Sequence, residues 1–258
     1  LQQRASGAMV GGSPPLSIYV HVPFCESVCY YCACNKVITR HHDRAVEYLD
    51  ALAQEIALNA AVLGPRQAVT QLHFGGGTPT FLTDAELNRL MSDIKASFRL
   101  APGAEVSIEV DPRTASPERL KAIAAMGFNR ISFGVQDFDE DVQKAVHRIQ
   151  PYESVKELMV AAREIGFESI NVDLIYGLPR QTLESITRTI NEVIALRPDR
   201  IAFYSYAHVP WTSRGQRLFD ENDLPGAAEK LALYLAGKQL LTANGYRDIG
   251  MDHFALET

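Results

Sequence analysis

The sequence predicts an α/β fold on a parallel sheet, from three observations. Apolar, β-branched runs of strand length alternate six times with segments whose apolar residues recur at helical spacing. Gly, Pro and polar residues gather after the carboxyl ends of those runs, while the opposite connections, such as MGFNR and LRPDR, are plainer. A length of 258 residues, 47% of them hydrophobic, suits one large core of the size that α/β barrels reach.

The strand candidates are LSIYVHV (16–22), QLHF (71–74), VSIEV (106–110), RISFGV (130–135), SINVDLIY (169–176) and RIAFYSY (200–206). Each is short, rich in Val, Ile, Phe and Tyr, and bounded by turn residues. Helical spacing occupies 43–62, 84–98, 117–126, 139–165 with a break at Pro151, 182–196 and 225–244. Thr83 followed by Glu86 makes a capping box, and Ser116 before Pro117 places a cap and then a proline in the first turn. Six βα units in series imply right-handed crossovers and a parallel sheet. Residues 1–15, rich in Gly, Ser and Pro, read as a flexible segment before a single domain, 16–258.

In parallel α/β architectures the active site lies beyond the carboxyl ends of the strands. Here those ends lead into a cysteine loop, GGGTP (75–79), EVDP (109–112), GVQ (134–136), Asp173 with YGLP (176–179), and YAHVPW (206–211). The four cysteines of the chain, Cys25, Cys29, Cys32 and Cys34, all fall in that first loop. C-x3-C-x2-C brings three thiolates together in the manner of a [4Fe–4S] cube held at three irons and open at the fourth. Structural zinc sites show separated pairs, and ferredoxins C-x2-C-x2-C with a distant cysteine, so the cube is preferred, with zinc the remaining alternative. A disulfide framework is disfavoured, because one loop staples nothing distant.

A Gly-rich turn is more often only a turn, but beside an open iron GGGTP reads as a cradle for that iron's ligand. It lacks the GK[ST] ending of a Walker loop. Glu109 and Asp173 either cap loops or bind the amine and hydroxyls of a nucleoside-type ligand, and Gln136 and Arg148 admit the same two readings. No histidine shows metal spacing, and His41 with His42 reads as a solvated pair. A net charge of −6 gives no basic footprint for nucleic acid or anionic lipid. No apolar run approaches a membrane span and no signal peptide is evident, so the cytoplasm is the default.

The stretches YVHVPFCESVCYYCACNK, LHFGGGTPTFL, IEVDPR, FGVQDF, VDLIYGLP, YAHVP and GYRDIGMDHFA closely resemble the oxygen-independent coproporphyrinogen III oxidase family of radical S-adenosylmethionine (SAM) enzymes. C-x3-C-x2-C alone implies the superfamily; Cys34, Asn35, YAHVP and GMDHFA point to the oxidase. Heme-trafficking proteins of the same superfamily, which typically have Phe at the position of Cys34, are the alternative.

The resemblance implies an incomplete (β/α)6 TIM-like barrel, open on one side. It implies oxidative decarboxylation of two propionates of coproporphyrinogen III to vinyl groups, giving protoporphyrinogen IX in heme biosynthesis. An electron from the reduced cluster would cleave SAM to a 5′-deoxyadenosyl radical, which takes the propionate hydrogen. The partners so implied are an electron donor for the cluster and an electron acceptor, with neither nucleic acid nor membrane, and a monomer in the cytoplasm. Cys25, Cys29 and Cys32 match the cluster ligands, and Cys34 a cysteine that does not ligate. Tyr19, Gly76, Glu109 and Ala207 match contacts to SAM at the cluster. Tyr31, Gly77, Thr78, Gln136, Arg148 and Asp173 match contacts to a second SAM. No side chain is assigned to catalysis beyond the cluster and SAM. The family's N-terminal extension and helical C-terminal domain have no counterpart in the sequence.

Overall fold

In chain order the elements are β1 (Leu16–Val22), β2 (Phe24–Cys25), β3 (Val37–Ile38), α1 (Arg44–Leu63), β4 (Ala68–Gly76), α2 (Asp84–Ser97), β5 (Arg99–Val110), α3 (Pro117–Ala125) and β6 (Arg130–Gln136). They continue with α4 (Glu140–Ala145), α5 (Tyr152–Ile165), β7 (Ser169–Tyr176), α6 (Leu183–Leu196), β8 (Arg200–Ser205), α7 (Ala227–Ala243), β9 (Tyr246–Gly250) and β10 (His253–Leu256). The structure, a computed structural model, describes residues 14–64 and 66–257. The expected flexible segment, 1–15, lies outside the described residues except for Pro14 and Pro15, which are exposed and irregular.

Local signals set the helix ends. The Thr83 side chain accepts from the Glu86 amide while Glu86 reaches back to the Thr83 amide, the capping box that starts α2. The Ser116 hydroxyl accepts from the Arg119 amide at the start of α3. A cap of this kind is worth about 1 kcal/mol. Pro151 separates α4 from α5, and α5 stops at Gly166, whose φ of +98° leaves the helix in a left-handed turn.

β1, β4, β5, β6, β7 and β8 pair in that order, each parallel to the next. β10 then adds antiparallel to β8, and β9 lies outside it. The ends of the sheet, β1 and β9, do not pair with each other, so the sheet is a partial TIM-like barrel open on one side. The six parallel strands agree with the sequence. The β9–β10 hairpin corrects it: no strand was read in GYRDIGMDHFA, because both strands are short and the turn between them is unusual. Met251 and Asp252 both take positive φ, +52° and +62°, a conformation that Asp tolerates but Met does not advertise.

Along β6 the burial alternates. Phe133 and Val135 are fully buried in the core shared with the helices, while Ser132, Gly134 and Gln136 face the barrel cavity. Burying a side chain such as Phe133 is worth about 1.5–3 kcal/mol. Strand register carries the inward residues into rows: Glu109 lies opposite Ser132, and Gly134, Asp173 and Ala202 follow one another across β6, β7 and β8.

Candidate functional site

The cysteine loop is fixed at both ends and along its length. The Val37 amide donates to the Pro23 carbonyl at 2.7 Å, and the Thr39 amide to the Cys25 carbonyl at 2.9 Å, so β2 and β3 close the loop at its base. Inside it the Cys32 amide donates to the Cys29 carbonyl at 3.1 Å, a single turn. Lys36 Nζ donates to the Cys32 carbonyl at 2.8 Å. From the far side of the barrel a strap after β8 grips the loop. Ser213 Oγ donates to the Cys32 carbonyl at 2.6 Å, and Gln216 Nε2 to the carbonyls of Tyr31 (2.7 Å) and Ala207 (3.0 Å). Gln216 is fully buried, and its Oε1 accepts from the Val209 amide.

All four cysteines are free thiols and line one cavity of about 700 Å³ that fills the barrel mouth. Their surroundings differ. Cys29 is buried and receives two guanidinium donors, Arg113 Nη2 and Arg148 Nη1, each at 3.4 Å. Cys25 receives the neutral hydroxyl of Thr78 at 3.4 Å, and burial pushes its pKa up. The thiol of Cys34, hydrogen-bonded to Cys32, pushes the Cys32 pKa down to about 6, and its own goes up. Cys34 thus supports a neighbouring thiolate.

The glycines of GGGTP serve close packing as well as the cavity. A Cβ on Gly77 would lie 2.7 Å from the Pro23 carbonyl oxygen and 2.8 Å from that of Phe24, the backbone leading into Cys25. One on Gly75 would lie 2.6 Å from Glu109 Oε1. Gly76 and Gly77 line the cavity, so the turn and cradle readings hold together. Glu109 Oε2 accepts from the Gly76 amide at 3.2 Å, and Oε1 pairs with His73 Nε2 at 3.0 Å, so Glu109 caps the neighbouring strand's loop rather than its own. Asp173 lies within β7, not at its last turn, and is held by Ser132 Oγ and Asn171 Nδ2. Burial, and then the Glu109 charge, push its carboxyl up to about 6.

Of the remaining residues named from the sequence, Tyr31, Thr78, Gln136 and Arg148 line the cavity with the cysteines. Gln136 sits at a register shift with φ +69°. Arg148 is buried and donates to the Gly134 carbonyl at 2.6 Å and to both Asp111 oxygens. Tyr19 and Ala207 stand beside the cavity without lining it. Tyr19 is exposed, its ring stacked 5.6 Å from that of His73, and Ala207 is exposed with its carbonyl engaged by Gln216. His42 is not merely solvated, since it pairs with Glu86 at 2.6 Å and stacks on Phe81.

Sequence reasoning missed four contributors. Asp111 and Arg113 stood in the quoted IEVDPR stretch without a role, Gln216 lay in an unremarkable loop, and His253 hid in the unread hairpin. His253 and Tyr204 line the cavity and bond to each other at 3.3 Å. The available signal was polar residues at alternate positions of apolar strands, Ser107, Ser132 and Asn171, which mark the inward face.

The site suits a cluster and an organic ligand. Three cysteine sulfurs face one cavity, and Asn171 Oδ1, Thr80 Oγ1 and Arg148 Nε, on residues lining it, are buried without a partner. Among the described residues no three His, Cys, Asp or Glu side chains converge on a single metal ion. A cube takes one cysteine per iron, so its ligands need not converge. Residues 19–193 match the Radical SAM superfamily. The chain belongs to that superfamily. The superfamily's cofactors are a [4Fe–4S] cluster and SAM. The chain is 50% identical over 244 residues to oxygen-independent coproporphyrinogen III oxidase of Pseudomonas aeruginosa, covering 94% of this chain and 53% of that protein. It is 49% identical over 241 residues to the Escherichia coli protein of the same name, covering 93% and 52%. The solved E. coli coproporphyrinogen III oxidase, a radical SAM enzyme, superposes with a TM-score of 0.93 at 47% identity over 99% of this chain and 58% of that one. The chain therefore spans about half the length of the curated relatives it matches. Among the described residues no helix is long and apolar enough to cross a membrane.

Proposed function

We propose that residues 16–258 form the catalytic barrel of an oxygen-independent coproporphyrinogen III oxidase, converting two propionates of its substrate to vinyl groups in heme biosynthesis. The observation that carries this reading is the 50% identity to a curated oxidase across 94% of the chain. When bound, the cluster and SAM supply the one-electron chemistry that removes a hydrogen atom from an unactivated carbon. Cys25, Cys29 and Cys32 hold the cluster. Tyr19, Gly76, Glu109 and Ala207 hold SAM beside it, with Glu109 already oriented by the Gly76 amide and His73. Tyr31, Gly77, Thr78, Gln136, Arg148 and Asp173 hold a second SAM. The barrel wall keeps water from the reacting atoms, and the open side admits a large tetrapyrrole. An electron donor and an electron acceptor complete the reaction, and the protein works as a monomer in the cytoplasm.

The test is anaerobic reconstitution with iron and sulfide, followed by electron paramagnetic resonance (EPR) with and without SAM. Cys25→Ala, Cys29→Ala and Cys32→Ala should each abolish the cluster signal, and Cys34→Ala should keep it. Equilibrium dialysis should count two SAM per chain, falling towards one in Gln136→Ala. The reduced chain should release 5′-deoxyadenosine, and more slowly in Glu109→Ala. Stoichiometric zinc in the native protein, or tight heme binding without SAM cleavage, would sink the proposal.

A further inference from the structure

We infer that Arg113 tunes the cluster, donating a charged N–H···S hydrogen bond to Cys29 that raises the reduction potential. The inference rests on the cluster assignment above and concerns a residue with no part in it.

The geometry begins in a turn. Asp111 follows β5, and its carboxylate accepts from the Arg113 amide at 3.1 Å, closing the short turn Pro112–Thr114. The same carboxylate binds the Arg113 guanidinium through Nε at 3.0 Å and Nη2 at 2.6 Å, folding the side chain back on its own turn. That fold aims Nη2 at Cys29 Sγ, 3.4 Å away. Arg148 Nη1 reaches the same sulfur at 3.4 Å and shares Asp111. The side chains of Asp111 and Arg148 are 10% and 7% exposed and that of Arg113 is 22% exposed, so solvent screens this group little.

A cysteine bound to iron is a thiolate. Two guanidinium groups, one carboxylate and one thiolate then sum to zero, so the arginines match the charge that the ligand brings. Reduction adds a negative charge to the cluster and its sulfurs, and a fixed cationic donor favours the reduced state. Among the described residues the Cys29 sulfur alone receives guanidinium donors; the hydrogen bond at Cys25 comes from a neutral hydroxyl, and the cation beside Cys32 is the Lys36 ammonium. Arg148 matches a SAM contact by resemblance, which leaves Arg113 as the donor to this sulfur with no matched ligand contact.

The experiment is an EPR-monitored redox titration of the reconstituted chain, with SAM affinity measured on the same preparations. Arg113→Gln should lower the midpoint potential by an amount equal to about a tenfold fall in reduced over oxidised cluster at fixed poise, 59 mV for one electron. Arg113→Lys should retain part of the effect. Asp111→Asn removes the anion between the arginines and should shift the potential upwards, a sign that keeps the idea testable if Arg113→Gln loads poorly. SAM affinity should stay within twofold in both Arg113 variants. An unchanged potential in loaded Arg113→Gln overturns the inference, as does a loss of SAM affinity at unchanged potential, which would make Arg113 a ligand contact. Failure of the unsubstituted chain to form a cluster would overturn the cluster assignment and the inference together.

Discussion

Asp137 is a carboxylate at 2% exposure, one residue beyond Gln136. It accepts from Thr189 Oγ1 at 2.5 Å, Gln181 Nε2 at 2.6 Å and the Asp139 amide at 2.8 Å, while Gln181 Oε1 accepts from the Gly177 amide. One buried acid thus ties the rim after β6 to the rim after β7. Burial is the largest influence on it and pushes its pKa up to about 6 from 3.8. A folded value above the unfolded one means the group stabilises the fold fully below the unfolded pKa, and loses that contribution as pH rises through the folded pKa. For Asp137 the window runs from about pH 4 to about pH 7, and between pH 4.5 and 7 the loss is about 2 kcal/mol. Asp137→Asn cannot titrate, and it sets an amide donor against the Gln181 amide donor. It should therefore be less stable than the native protein at pH 4.5, with the gap narrowing by about 2 kcal/mol at pH 7. Urea unfolding at the two pH values checks this, and an equal gap at both would show that Asp137 does not titrate as argued.

α7 crosses β7 and β8 at Gly237, which has no Cβ because none fits. A Cβ there would press into the Phe203 ring, 2.6 Å from Cζ, and lie 3.0 Å from Ile190 Cδ1. Both side chains are fully buried, so neither can give way cheaply. In an exposed helix Gly→Ala gains about 1 kcal/mol. Overpacking of this kind costs about 1–3 kcal/mol, and the collision is with a ring, so the balance should be a net loss. Gly237→Ala should lower Tm by about 2–4 °C, taking a net loss of about 1 kcal/mol at 2–4 °C each. A raised Tm would mean that α7 slides freely on the sheet. Elements were legible in the sequence where the chain carries its own signal: capping at Thr83 and Ser116 and the Pro151 break gave the ends of α2 and α3 and the start of α5 within a residue or two, whereas α4 ends at Ala145, well before the break. β4 and β5 were read short, because the missed residues carry turn signals, Gly75 and Gly76 at the end of β4 and Pro102 with Gly103 within β5. Inside the runs that were read, His73, Ser107 and Glu109 line the cavity, which makes the barrel interior polar.

Across the molecule the rim of strand ends was legible, since cysteines, glycines and acids recur there at regular intervals along the chain. The contacts that hold the rim together were not. Arg113 meets Cys29 from 84 residues away, Arg148 meets it from 119, and Gln216 meets Tyr31 from 185. No local pattern encodes such a pairing, because it depends on the barrel bringing distant loops to one mouth. A site assembled this way needs the sheet to behave as a single body. Leu49 in α1 and Phe254 in β10 test that, as both are at most 2% exposed and belong to one continuous core. β1, beside α1, and β10 lie six strand spacings apart in the sheet, about 30 Å along its curve. Leu49→Ala should cost about 2–5 kcal/mol and Phe254→Ala about 3–5 kcal/mol. At such separation the double variant should lose the sum of the two within about 0.5 kcal/mol. Trp211, the only tryptophan, sits exposed in the strap over the cysteine loop and reports on the site by fluorescence. In each single variant its transition should coincide with that of far-UV circular dichroism. A strap that melts early in Phe254→Ala but not in Leu49→Ala would show that the mouth of the barrel unfolds in parts.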